Sequence, residues 1–149
     1  MVAAYQEYSG ALRPGAWEAY ARDIADVQSR LADSKLVVAL EGEKVLGAVT
    51  YYPRKQEGTG EGWPAGWSGV RLLAVGPEAR GRGLGRLLMQ ECIRRARAEG
   101  AQTMGLHTTE LMAVARAMYE RMGFERAPDF DFHPTPTFTV MAYRLSLGV

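Results

Sequence analysis

The residues best placed to do chemistry form one run, residues 70–88, which reads VRLLAVGPEARGRGLGRLL. An aliphatic stretch stops at Gly76-Pro77 and an amphipathic pattern begins near Gly83, so a strand runs into a turn and the turn opens a helix. The first N–H groups of a helix have no intrahelical partner, and with the positive end of the helix dipole they form an anion site. Gly81, Gly83 and Gly85 keep side chains clear of that backbone, while Arg80, Arg82 and Arg86 add positive charge. A pyrophosphate is the natural guest. Two other phosphate motifs fit less well. The dinucleotide fingerprint needs a third glycine where Arg86 stands, and a P-loop needs a lysine followed by serine or threonine, which this segment lacks. Glycine spacing alone would also suit a helix entry that binds nothing, so the assignment needs support from the rest of the chain.

The elements that position this run can be read from periodicity. Trp17, Tyr20, Ile24, Val27 and Leu31 recur at steps of three and four, which predicts a helix over residues 16–31. Tyr5, Tyr8 and Leu12 suggest an earlier turn or two. Residues 35–40 and 45–52 are short β-branched or aromatic runs around Glu41-Gly42-Glu43-Lys44, a hairpin. A glycine-rich loop is expected over residues 57–69, then a strand over 70–75. The helix after the turn, residues 83–99, directs Leu84, Leu87, Leu88, Cys92 and Ala96 toward the core, and Gly100 ends it. A strand over 103–108, a helix over 111–122 closed by Gly123, a loop over 128–136 and a last strand over 137–147 complete the order. The expected class is α/β: one domain over residues 1–149, a mixed sheet with helices on its faces.

Arg80-x-x-Gly83-x-Gly85 directly after a strand resembles the acyl-CoA pyrophosphate loop of the GNAT superfamily of N-acyltransferases. Leu73-Ala74-Val75-Gly76-Pro77-Glu78 looks like that family's strand leading into the loop, and Ala115-x-x-x-Tyr119-x-x-x-Gly123-Phe124 is similar to its second motif. The two motifs span residues 70–124 in the family's order and at its intervals. Two departures stand out. Met112 occupies a position where the second motif often has asparagine, and the chain starts almost in a helix where the family usually begins with a strand. That first strand is therefore expected to be absent, truncated or supplied by an irregular N-terminus.

The resemblance implies transfer of an acetyl or other acyl group from acetyl-CoA to a primary amine of a small molecule or a protein. It places the pantetheine arm against the backbone of Leu73, Ala74 and Val75, where a strand N–H can also hold the thioester oxygen. It wraps the pyrophosphate in Arg80, Gly81, Arg82, Gly83, Leu84, Gly85 and Arg86, and makes Tyr119 the acid that protonates the coenzyme A sulfur. By its spacing alone, Tyr119 would be a half-buried helix residue beside Ala115 and Met122. The general base is not evident, with Glu57, Glu61, Glu110, His107 or a chain of waters all open. Asp129 and Asp131, beside Phe130, Phe132 and His133, are candidate contacts for a cationic acceptor through charge and cation–π attraction, or else a solvated loop. Trp63 and Trp67 would wall the pocket or pin their own loop.

Bulk composition narrows the alternatives. A chain of 149 residues that is 47% apolar and 23% charged can bury a core, which argues against disorder. Its net charge of +1 gives no reason to expect nucleic acid or an anionic membrane as partner. An RNA-binding use of the arginine-rich turn also lacks an aromatic pair on a neighbouring strand. One cysteine, Cys92, cannot form an internal disulfide, and two histidines are too few for an ordinary zinc site, so no metal is expected. No apolar run approaches the ~20 residues that cross a bilayer, and the N-terminus lacks a signal-peptide pattern. The expectation is a cytoplasmic monomer or homodimer. The competing reading is a non-catalytic sensor that binds acyl-CoA without turnover.

Overall fold

The computed structural model describes residues 21–22, 25–26, 31–54 and 62–148. Most of the helix expected over 16–31, the turns before it, and the question of a first strand lie outside the described residues; Ala21, Arg22 and Ala25 are helical.

β1 (Lys35–Glu41) and β2 (Lys44–Tyr52) form the expected antiparallel hairpin, closing at Glu41↔Lys44. β3 (Trp67–Val75) lies antiparallel on β2. The chain then crosses through α1 (Leu84–Ala98) to β4 (Thr103–Thr108), which is parallel to β3. A parallel pair needs such a crossover, because its strands must start at the same end. α2 (Ala113–Arg121) follows, then β5 (Glu125–Arg126), β6 (Phe132–Thr135) and β7 (Phe138–Ser146). The described strands make a seven-stranded mixed sheet in the order β1-β2-β3-β4-β7-β5, with β6 paired to β7 off this path.

The core lies between the sheet and α1. Leu88, Met89, Cys92, Ile93 and Ala96 recur at helical spacing and pack on Val49, Tyr51, Val70, Met104 and Leu106 from three strands. Each large aliphatic side chain buried this way contributes about 1.5–3 kcal/mol. Leu87, expected in the core, is 57% exposed, because Met89 and Ile93 hold the buried face in its place. Burial pushes the Cys92 thiol up to about 12, so it stays protonated and serves only to pack.

One boundary and two short strands differ from the periodicity, one of the strands being β5, which was not expected. β3 begins at Trp67 rather than residue 70, because residues 67–69 pair with Thr103, Met104 and Gly105 in spite of the preceding glycines. The loop expected over 128–136 contains β6, whose irregular register with β7 accommodates Pro134. Among the described residues, no helix is long and apolar enough to cross a membrane.

Candidate active site

β3 and β4 pair only at Trp67↔Thr103, Ser68↔Met104 and Gly69↔Gly105, and part beyond that point. The cause is local to β3. Ala48 of β2 faces Ala74, but Thr50 faces Arg71, so Leu72 and Leu73 share the single partner Val49. Leu72 has a left-handed φ of 58°, a conformation that costs a non-glycine residue roughly 1–2 kcal/mol. A bulge of this kind bends its strand, and the pairing on both sides holds the strain in place. The parting opens a cleft of about 800 Å³ between β3, β4, α1 and α2. That volume lies in the range of small-molecule sites.

One end of the cleft is the glycine-arginine turn. Leu73, Ala74 and Val75 line it along β3, followed by Arg80, Gly81, Gly83, Leu84, Gly85 and Arg86. Gly81 and Gly83 have φ of 81° and 75°, so the turn itself requires them. Leu87 N–H is bonded to the Gly83 carbonyl, which leaves the N–H groups of Leu84, Gly85 and Arg86 without intrahelical partners at the cleft wall. Gly85 differs from the other two. Its φ is not positive, and an added Cβ would meet only Met118 and Leu73 at ordinary contact distances of 3.6 Å and beyond. The fold alone does not demand glycine there. Arg82 departs from expectation: its guanidinium meets Glu41 of β1 at 2.6 Å and does not line the cleft. That partner holds the Glu41 carboxyl below its usual range.

α2 supplies the opposite wall. Met112 is its N-cap and makes no side-chain capping bond. Tyr119 is 6% exposed, lines the cleft, and sets its ring edge-on to Phe124 at 5.8 Å. Tyr119 thus lines the same cleft as the glycine turn.

His107, on the β4 wall of the cleft, belongs to an aromatic cluster. Trp63, 3% exposed, lies over the last paired residues of β3 and β4. A Cβ on Gly69 would come within 2.8 Å of its indole, and one on Gly105 within 2.6 Å, so both strands need glycine to admit the ring. Trp63 stacks on Trp67 at 5.5 Å and on His107 at 4.6 Å, and Phe130 tilts against both tryptophans. Phe132 meets His107 edge-on at 5.2 Å. His107 lines the cleft, and its Nε2 is 3.0 Å from the Phe130 carbonyl oxygen.

The two aspartates expected to contact the acceptor do not reach the cleft. Asp131 accepts two bonds from Arg126, at 2.7 and 2.6 Å, and a third from the Ala142 N–H at 2.7 Å. The guanidinium holds its carboxyl down at about 2. Its charge is spent on tying the 128–131 turn to β7, and it offers little attraction to a cationic acceptor. Asp129 is exposed in the 3-10 turn Pro128–Phe130 and does not line the cleft. Glu110 is exposed and also off the cleft, while Glu57 and Glu61 lie outside the described residues.

The model of the acetyltransferase (GNAT) family matches residues 2–124, most of the chain. The chain belongs to this family. It is 32% identical over 113 residues to N-acetyltransferase 8B of Rattus norvegicus, covering 72% of this chain and 48% of that protein. It is 28% identical over 114 residues to mycothiol acetyltransferase of Geodermatophilus obscurus, covering 75% of this chain and 35% of that protein. The chain therefore spans about half or less of the length of these relatives. The fold also matches the PaiA N-acetyltransferase of Thermoplasma acidophilum, solved in complex with coenzyme A: TM-score 0.72 and 14% identity over 95% of this chain and 86% of that one. The GNAT match takes in the glycine turn and Tyr119 and stops at Phe124. Phe130, Asp131 and Phe132 fall beyond it.

Sequence reasoning passed over two features of this GNAT cleft. Arg71 and Arg121 line it, as do Leu111 and Val114 at the start of α2. Trp63, read from the sequence as a pocket wall or a pin for its own loop, is buried over the ends of the β3–β4 pairing and does not line the cleft. The signal for that packing was available: Gly69 and Gly105 are glycines inside strands, which mark close approach by another group.

Proposed function

We propose that this GNAT chain binds acetyl-CoA in the cleft and transfers its acetyl group to a primary amine of a small molecule or a protein. One observation carries the reading: the parted strands lead straight to a helix entry whose first N–H groups, glycines and Arg80 and Arg86 face the same cleft as Tyr119. From Val70 onward β3 is paired on one side only, by β2, so its other edge faces the cleft. Such an edge can pair with the amides of an extended pantetheine arm, as a strand pairs with an added strand. The pyrophosphate would then reach the anion site at the start of α1.

The chemistry follows from this placement. The amine nitrogen attacks the thioester carbonyl, and an N–H of bulged β3 holds the developing oxyanion. The C–S bond breaks, and Tyr119 gives its proton to the departing sulfur. Family membership and the acetyltransferase relatives support the reaction class. The acceptor follows from none of them.

The test is thioester consumption from acetyl-CoA against a broad amine panel that includes peptides with free N-termini. The reading expects acceptor-dependent release of free coenzyme A. Tight acetyl-CoA binding with no turnover on any amine would favour a sensor instead.

A further inference from the structure

A GNAT reaction of this kind needs a proton acceptor for the amine, and the sequence leaves that role open. Among the described residues lining the cleft, the titratable side chains are Arg71, Arg80, Arg86, Arg121, Tyr119 and His107; no carboxylate and no lysine is present. Arginine does not give up its proton in proteins. Tyr119 is already assigned to give a proton. His107 remains.

Its geometry suits the task. The Phe130 carbonyl oxygen can only accept a hydrogen bond, so His107 Nε2 carries the proton that it donates at 3.0 Å. In the neutral ring, Nδ1 is then the bare nitrogen. The ring lies nearly parallel to Trp63, at 19° and 4.6 Å, and Phe132 closes on it edge-on. Stacking and the carbonyl bond fix the imidazole plane before any substrate arrives. The charged groups on the elements around it are largely engaged elsewhere. Asp131 is paired with Arg126, and His133 Nδ1 is bonded to Thr139 Oγ1. Asp129 and Glu110 are exposed and off the cleft, and Arg71 and Arg121 share the cleft itself.

We propose that His107, locked as the Nε2–H tautomer by Phe130 and Trp63, is the base that takes the amine proton at Nδ1, directly or through one water. This rests on the transferase reading. An ammonium acceptor first loses one proton to solvent. As the C–N bond forms, the second leaves the nitrogen for His107 Nδ1; as the C–S bond breaks, the thiolate takes a proton from Tyr119. Transfer of the proton from His107 back to Tyr119 resets the site. The net change is ammonium plus thioester to amide, free thiol and one proton to solvent.

Two measurements test it on the intact protein. The chain has two histidines, so ¹⁵N spectra of wild type and His107→Gln assign the His107 signals unambiguously. The Nε2–H tautomer supports the proposal, and an Nδ1–H tautomer overturns it. In turnover, His107→Gln keeps a donor for Phe130 but cannot accept a proton. Its kcat/KM should fall about 10²- to 10⁴-fold with acetyl-CoA affinity unchanged. Its rate on the acid side should depend on one proton, that of the amine, where wild type depends on two. A mutant with the wild-type rate, or with an acid limb as steep as wild type, overturns the assignment of the base and leaves the transferase reading intact. A wild-type chain inert toward every amine would instead remove the transferase reading, and this proposal with it.

Discussion

The glycine-arginine end of the cleft and the aromatic cluster around His107 are built in different ways. The glycine-arginine end uses one contiguous stretch, residues 73–86, and acts mainly through backbone: a strand edge, a turn and the first N–H groups of a helix. The aromatic cluster collects side chains from distant segments, with Trp63 from a loop, His107 from β4 and Phe130 and Phe132 from the stretch between β5 and β7. A site made of backbone is tied to local sequence, because glycine positions and helix starts are local properties. A site made of packed side chains depends on which strands the topology brings together. The GNAT match takes in the first end together with Trp63 and His107, and stops short of Phe130 and Phe132.

Tyr119 lines the cleft together with the glycine turn and His107, and its removal should have the largest effect. Tyr119→Phe keeps the ring against Phe124 and deletes the proton. Turnover should drop about 10²- to 10⁴-fold while calorimetry returns an unchanged acetyl-CoA affinity. Wild-type turnover would reduce Tyr119 to a packing residue and leave the glycine turn and the cluster without a shared catalyst.

Gly105→Ala probes the aromatic cluster alone. The new Cβ would press on the Trp63 ring at 2.6 Å, an overpacking that typically costs about 1–3 kcal/mol. Thermal melting should show that loss, and the KM for amine should rise with no change in acetyl-CoA affinity. A parallel loss of acetyl-CoA affinity would mean that the cluster and the glycine turn are coupled and the comparison is wrong.

Asp131→Asn tests whether that carboxylate is structural. Losing charge-assisted bonds to Arg126 and Ala142 should cost about 1–3 kcal/mol, with little change in discrimination between cationic and neutral amines. The sign of the pH dependence is fixed by the depressed carboxyl. Its contribution is fully present above the unfolded value of ~3.9 and fades as pH falls through about 2, so the melting curves of mutant and wild type should converge toward acid. A gap constant down to that pH, or a selective loss of cationic acceptors, would contradict the structural role.

Arg82→Ala should do least. Both partners of its bond to Glu41 are exposed, with more than half of each side chain open to solvent. Melting temperature should be essentially unchanged, and acetyl-CoA affinity should fall less than in Arg86→Ala, whose side chain lines the cleft. An equal loss would mean that Arg82 leaves Glu41 when ligand binds.

These contrasts also explain what the sequence made legible. The hairpin, the βαβ crossover, the second helix and the closing strand follow from periodicity and glycine-proline punctuation, while the short β5 and β6 do not. The turn at Gly81 and Gly83 follows from the backbone conformation that glycine permits. Leu87 was misplaced because several phases of one apolar stripe fit α1, and packing against β2 and β3 decides among them. The pairing of Asp131 with Arg126 was not legible, because the sequence does not reveal which charges pair across a turn. Trp63 was ambiguous until β3 and β4 were known to end their pairing at two glycines.

The central claim is that the start of α1 is built to receive the acetyl-CoA pyrophosphate, and Gly85 offers the most direct test. The position is helical and a Cβ there meets only ordinary contacts, so Gly85→Glu should fold while placing bulk and negative charge where the phosphates would lie. The measurement is calorimetric titration of acetyl-CoA into wild type and Gly85→Glu, with thermal melting in parallel. The account predicts binding by wild type and a loss of at least about 100-fold, about 2.8 kcal/mol, in a mutant that melts near the wild-type temperature. Equal affinity in the folded mutant, or no binding by wild type, would contradict it.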